Sequence, residues 1–125
     1  MDEKNLWGNI KDIPTFRPPS SFLVEQAKII EVQTKMAIKA EVLQYTRYGI
    51  VKVTLQLTTP YLKDYSKVIL SIEHHIEGYP VTLEATLSNK KYECKDEEEF
   101  LSCVKVILTS NEVRRVLSAL LSYVK

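Results

Sequence analysis

Four consecutive segments in the middle of the chain repeat with a period of two, and this constrains the fold more than anything else in the sequence. "MAIKAEVLQY" sets Met36, Ile38, Ala40 and Val42 on one side and Lys39 and Glu41 on the other. "GIVKVTLQLTT" sets Val51, Val53, Leu55 and Leu57 against Lys52, Thr54, Gln56 and Thr58. "KVILSIEHHIE" opposes Val68, Leu70, Ile72, His74 and Ile76 to Ser71, Glu73, His75 and Glu77. "PVTLEATLSN" opposes Val81, Leu83, Ala85 and Leu87 to Thr82, Glu84, Thr86 and Ser88. Alternation of this kind belongs to antiparallel strands with one covered face and one wet face. The linkers are short and hold turn residues (Gly49, "TPYLKDYS", "GYP", "SNKK"), so a meander is the simplest connection. "KYECK" offers a short fifth strand at the edge, with Tyr92 and Cys94 facing the core.

Helical patterns flank the strands. After Pro19, Ser20 or Ser21 can cap a helix running to about Gln33, with Leu23, Ala27, Ile30 and Thr34 on one stripe. Phe22, Ile29 and Val32 form a smaller apolar group on another side. Asp96 and Glu99 have capping-box spacing at the start of a second helix. Its apolar residues from Phe100 to Leu108 wrap about 220° of the surface at 100° per residue, which calls for cover on two sides. "TSN" interrupts it, with Ser110 or Asn111 as the next cap. The last helix carries Val113, Val116, Leu117, Leu120, Leu121 and Val124 on one stripe.

The expected fold is therefore α+β: an antiparallel four- to five-stranded meander sheet, one N-terminal helix and two C-terminal helices, with the helices on one face. Residues 1–19 read as an apolar N-terminal arm, and 20–125 as a single α+β domain. The arm is broken by Pro14, Pro18 and Pro19, yet Trp7, Ile10, Ile13 and Phe16 are too apolar for an ordinary disordered tail. The arm is therefore expected to lie on the body of its own domain or, as the alternative, on a partner. Four strands at ~4.8 Å spacing make a face about 20 Å wide, room for two helices of ~10 Å. Three helices and an apolar arm exceed that, so the surplus goes to a second layer or a subunit interface.

Composition narrows the function. The 125-residue chain has 17 basic and 16 acidic side chains, a formal charge of +1. A balance this even removes the long-range attraction to a phosphate backbone. The wet sheet face carries Lys39 and Lys52 against Glu41, Glu73, Glu77 and Glu84, with no aromatic in its middle, so nucleic-acid binding is not expected. Three glycines exclude a Gly-rich phosphate loop. No apolar run reaches the ~18–20 residues of a membrane span, and the polar start "MDEKNLWGNI" lacks a signal peptide's apolar core. Two cysteines, Cys94 and Cys103, are expected to be buried, reduced thiols, and the location cytoplasmic.

The histidines of "SIEHHIEGYP" separate by strand geometry, since neighbours point to opposite faces. His74 belongs with the core and His75 with the wet face between Glu73 and Glu77. If Ile76 pairs with Val81, Glu73 stands opposite Glu84; a slip of two residues brings His75 opposite Glu84. A carboxylate–imidazole site on Glu73, His75 and Glu84, catalytic or metal-dependent, is thus the alternative function. The preferred expectation is a non-catalytic interaction or inhibitor-type module, a homodimer that binds protein, without metal or cofactor. The chain has the general look of small bacterial or phage proteins, and no motif attaches it to a named family. The expected contact residues are Trp7, Phe16, Phe22, Ile29, Val32, Tyr61 and Tyr65. Arg114 and Arg115, cations in the first turn of the last helix, are a weaker candidate for holding an anion.

Overall fold

The computed structural model describes residues 4–124. Five strands, β1 (Lys39–Arg47), β2 (Ile50–Thr58), β3 (Lys67–His75), β4 (Gly78–Ala85) and β5 (Lys90–Cys94), form one antiparallel sheet in the order β1-β2-β3-β4-β5. This is the expected meander, with "KYECK" as its fifth strand. Helix α1 (Pro19–Gln33) precedes the sheet, and α2 (Glu97–Leu108) and α3 (Asn111–Leu121) follow it. α1 packs on β1 and β2, α2 on β4 and β5, and α3 on α2. α3 also turns Val113 and Leu117 toward Leu55, Leu57 and Ile69 of the sheet. Leu101 and Val106 of α2 stay exposed, so α2 lacks the expected cover on two sides. The other sheet face stays open.

Local chemistry accounts for the ends of these elements. Asp96 accepts a hydrogen bond from Glu99 N–H at 2.9 Å, and the Glu99 carboxylate accepts one from Lys95 N–H at 2.9 Å. Ser110 caps α3 through Val113 N–H. At α1 the expected serine cap gives way to proline: Pro18 is the cap position and Pro19 the first helical residue, where a fixed φ and a missing N–H suit a first turn. Ser21 instead donates its hydroxyl to Pro18 C=O and accepts from Arg17 Nε. The Tyr48–Gly49 turn has positive φ at both residues, the twist a two-residue hairpin requires.

Three residues expected on the covered face lie elsewhere. Lys35 and Met36 adopt left-handed φ values of 51° and 66° that close α1, so β1 begins only at Lys39 and Met36 is exposed. A bulge in β3 admits one extra residue opposite the Leu55–Gln56 step. Ile69 and Leu70 are both buried as a result, and Val68 pairs with Gln56 on the open side. Ile76 lies in the β3–β4 turn and is exposed.

The core is centred on Leu23, Ile38, Val53, Leu57, Leu70, Ile72, Val81, Leu83 and Phe100, each at most 2 % exposed. The N-terminal turns of α1 and α2 meet through Phe22 and Phe100, whose ring centroids are 6.3 Å apart. A cleft of about 220 Å³ opens between α1 and α3, floored by Leu55, Leu57 and Ile69.

The arm meets the body through Arg17, which pairs with Glu25 and lies over Phe22, and through Phe16. The Phe16 ring lies over Gly78, so that a Cβ on Gly78 would meet it at 3.1 Å, and Gly78 has φ +106°. Gly78→Ala is therefore expected to cost about 1–3 kcal/mol from backbone strain, plus displacement of the ring. In a Phe16→Ala background the same change should cost less, by about 0.5–1 kcal/mol, as for residues in contact. Denaturant melts of the two single variants and the double variant measure this. Equal costs in both backgrounds would detach Phe16 from the hairpin.

Candidate functional site

The strand register fixes where each candidate side chain on the open face stands. β1 and β2 pair Arg47 with Ile50, Tyr45 with Lys52, Leu43 with Thr54 and Glu41 with Gln56. β2 and β3 pair Ile50 with His75, Lys52 with Glu73 and Thr54 with Ser71. β3 and β4 pair Glu73 with Thr82 and Ser71 with Glu84, and β5 adds Glu93 beside Thr82 and Lys91 beside Glu84. One row across the sheet is therefore Tyr45, Lys52, Glu73, Thr82, Glu93, and the next is Leu43, Thr54, Ser71, Glu84, Lys91.

This register differs from both expected ones. A shift between His74 and His75 puts His75 opposite Gly78 and pairs His74 with Val81. Glu84 then lies opposite Ser71, four residues from His75 along β3, or about 13 Å at 3.3 Å per residue. Glu73 faces Lys52 and Thr82 rather than Glu84, so the like-charge pair does not form. Glu73, His75 and Glu84 share a face without converging on a point. Among the described residues, no group of three or more His, Cys, Asp or Glu side chains is arranged to hold a metal ion.

The other titratable candidates serve the core. His74 is buried between Val51 and Val81 and donates Nδ1–H to the His75 carbonyl at 2.6 Å. Cys94 is buried, Cys103 is half-buried, and both are free thiols. Burial, with Cys103 beside it, pushes the Cys94 thiol up to about 12, which leaves it a poor nucleophile near neutral pH. The sequence offered no sign of Tyr79. Its hydroxyl is buried without a hydrogen-bond partner among the described residues, and burial followed by the Glu97 charge raises it to about 12. Its ring stacks edge-on against Phe100 at 6.3 Å.

The proposed contact residues do not form one surface. Phe22 belongs to the core: it is buried against Phe100, and the Arg17 guanidinium lies 3.9 Å from its ring centroid. Its expected companions Ile29 and Val32 are exposed on α1, Val32 at 76 %. Tyr65 is half-buried against the core, and Tyr61 is exposed beside it. Arg114 lines the cleft between α1 and α3, while Arg115 faces solvent.

The arm is the most apolar exposed segment. Leu6 is 88 % exposed and Trp7 83 %, and Ile10, Ile13 and Phe16 are each at least half exposed. Its backbone is nonetheless shaped by local hydrogen bonds. Asn5 accepts from Trp7 N–H and donates to Gly8 C=O, and Asn9 accepts from Lys11 N–H at the head of a short 3-10 turn, Ile10–Asp12.

A second apolar surface escaped the sequence reading. Leu43 and Tyr45 stand half exposed on the open face of β1, next to Tyr48 at the turn. Continuing the alternation of Lys39 and Glu41 through "LQYTR" would have placed both on the wet side and shown an aromatic there. No helix among the described residues is long and apolar enough to cross a membrane. Compared with protein-family models, curated proteins and solved structures, the chain matches none.

Proposed function

We propose that the protein is a non-catalytic protein-binding module of the interaction or inhibitor type, working as a homodimer, with the N-terminal arm as the element that recognises another protein. The observation that carries this reading is the arm itself: Leu6 and Trp7 almost fully exposed on a backbone held by Asn5 and Asn9. A monomer gains nothing from ordering such side chains in water, and a tryptophan on a preformed turn suits an interface anchor. The two free thiols fit a reducing, cytoplasmic setting. The carboxylate–imidazole alternative gains no support from side chains spread along an open, water-screened face.

Affinity capture from lysate of the source cells, followed by mass spectrometry, tests the reading. A specific partner should be retained by the wild-type chain. Trp7→Ala should weaken its binding by about 2 kcal/mol, roughly thirtyfold, as for an anchor residue. A partner held equally by both chains would remove the arm from the recognition surface.

A further inference from the structure

The two edges of the sheet are built differently. β5 is five residues long and begins with two lysines, a common way to discourage pairing with another chain. β1 is nine residues long, without proline, and its register with β2 runs unbroken from Lys39 to Arg47. Its outer side meets no other strand. Ala40 N–H points away from β2, since it donates to the Glu31 carboxylate at 3.1 Å. An antiparallel ladder alternates, so the N–H and C=O groups of Val42, Gln44 and Thr46 point outward too. These groups have no protein partner among the described residues. Beside them Leu43 and Tyr45 are half exposed, flanked by Glu41 and Arg47.

We propose that β1 is the dimer interface, pairing antiparallel with β1 of a second copy about a twofold axis at Gln44, to make one continuous ten-stranded sheet. The inference rests on the homodimer reading and names the surface that forms it. The register follows from side-chain complementarity. With the axis at Gln44, Glu41 faces Arg47 of the second copy, and Leu43 faces its Tyr45. Symmetry repeats each pair. The outward groups of Val42 meet those of Thr46, and Gln44 meets its own copy, so all three residues exchange main-chain hydrogen bonds. The Ala40–Glu31 bond is left intact. An axis at Leu43 instead sets Lys39 against Arg47 and requires the Ala40 N–H that Glu31 already holds. An axis at Tyr45 turns Arg47 onto Leu43 and leaves Glu41 unpaired. At Gln44, opposite charges, an apolar–aromatic pair and unpaired main-chain groups are all matched at once. The same twofold lays the two α1 helices side by side on the covered face.

The test uses the full chain. Light scattering should find a dimer at micromolar concentration. The amides of Val42, Gln44 and Thr46 should resist hydrogen exchange, although no bond within one protomer protects them. Gln44→Pro removes an N–H that points away from β2, so it should leave the β1–β2 ladder and strand content unchanged while giving a monomer with fast exchange at Val42 and Thr46. Glu41→Arg or Arg47→Glu alone should weaken the dimer about tenfold, because two cross-strand pairs turn repulsive at once. The double variant should restore it, a result independent of how Gln44→Pro folds. A wild-type monomer would overturn both this interface and the homodimer reading. A dimer that survives Gln44→Pro, or single charge variants not rescued by the double, would overturn the β1 interface alone and leave the homodimer reading in place.

Discussion

Phe100→Ala is expected to cost about 3–5 kcal/mol, the range for deleting a fully buried aromatic ring. Phe100 is 0 % exposed and sits in the first half of α2, between Phe22 of α1 and Tyr79 of β4. Three elements from distant parts of the sequence meet on this one ring. Its removal leaves a cavity that none of them can fill alone, since α1 is held by Leu23 on β1 and β2, and β4 by its ladder. The loss also forfeits two tilted aromatic contacts, each worth about 0.5–1.5 kcal/mol beyond the area buried. Set against a total stability of about 5–15 kcal/mol for such a domain, this is a large share. The neighbouring Leu101 is a control: it is partly exposed, and Leu101→Ala should cost well under half as much. Urea melts of both variants decide the matter, and a Phe100→Ala cost near 1 kcal/mol would mean that α2 does not dock where described.

The sequence carried the fold wherever one physical signal dominated. Alternation in "GIVKVTLQLTT" admits one reading, and β2 follows it residue for residue. Asp96 with Glu99 announces a helix start, and α2 begins after it. The signal failed where it was degenerate. In "KVILS" three apolar residues in a row hide which of them is the bulge, so Val68 was assigned to the wrong face. In "EHHIEGYP" the register depends on a second irregularity beside His75, which periodicity does not encode. That error alone created the apparent meeting of Glu73 with Glu84. Pro19 supplied the helix start that the serines after it seemed to offer.

The candidate surfaces were legible to a lesser degree. The apolar letters of the arm are visible in the sequence, and so is their excess over what the sheet can cover. That Phe22 leaves the Ile29–Val32 group and turns toward Phe100 depends on how α1 rolls against α2, a tertiary choice. The β1 edge was out of reach for a different reason. The expected meander already sets its first strand outermost. That its even-numbered residues point their amides outward follows from the register at the Tyr48–Gly49 turn, which no apolar pattern contains.

His74→Asp carries the second large effect and tests the register from the other side. His74 is 7 % exposed, between Val51 and Val81, and among the described residues its ring makes one hydrogen bond, the Nδ1–H donated to His75 C=O. A carboxylate there has no donor to meet and faces a carbonyl oxygen instead. An unpaired buried charge costs about 3–5 kcal/mol at neutral pH. His75, on the wet face, should tolerate His75→Ala within about 0.5 kcal/mol. The His74→Asp penalty should also depend on pH in a definite direction. Burial raises the introduced carboxyl above its unfolded value of about 3.9, so the folded state binds the extra proton. The destabilisation is then complete above the raised folded value. It shrinks as pH falls through that value, and its charge-dependent part is gone below the unfolded one. His74→Asn, similar in shape and without a charge at any pH, gives the reference. Melts of the two variants from neutral to acidic pH should therefore converge on acidification. Parallel curves, or a His75→Ala effect as large as that of His74→Asp, would mean that the two histidines have exchanged faces.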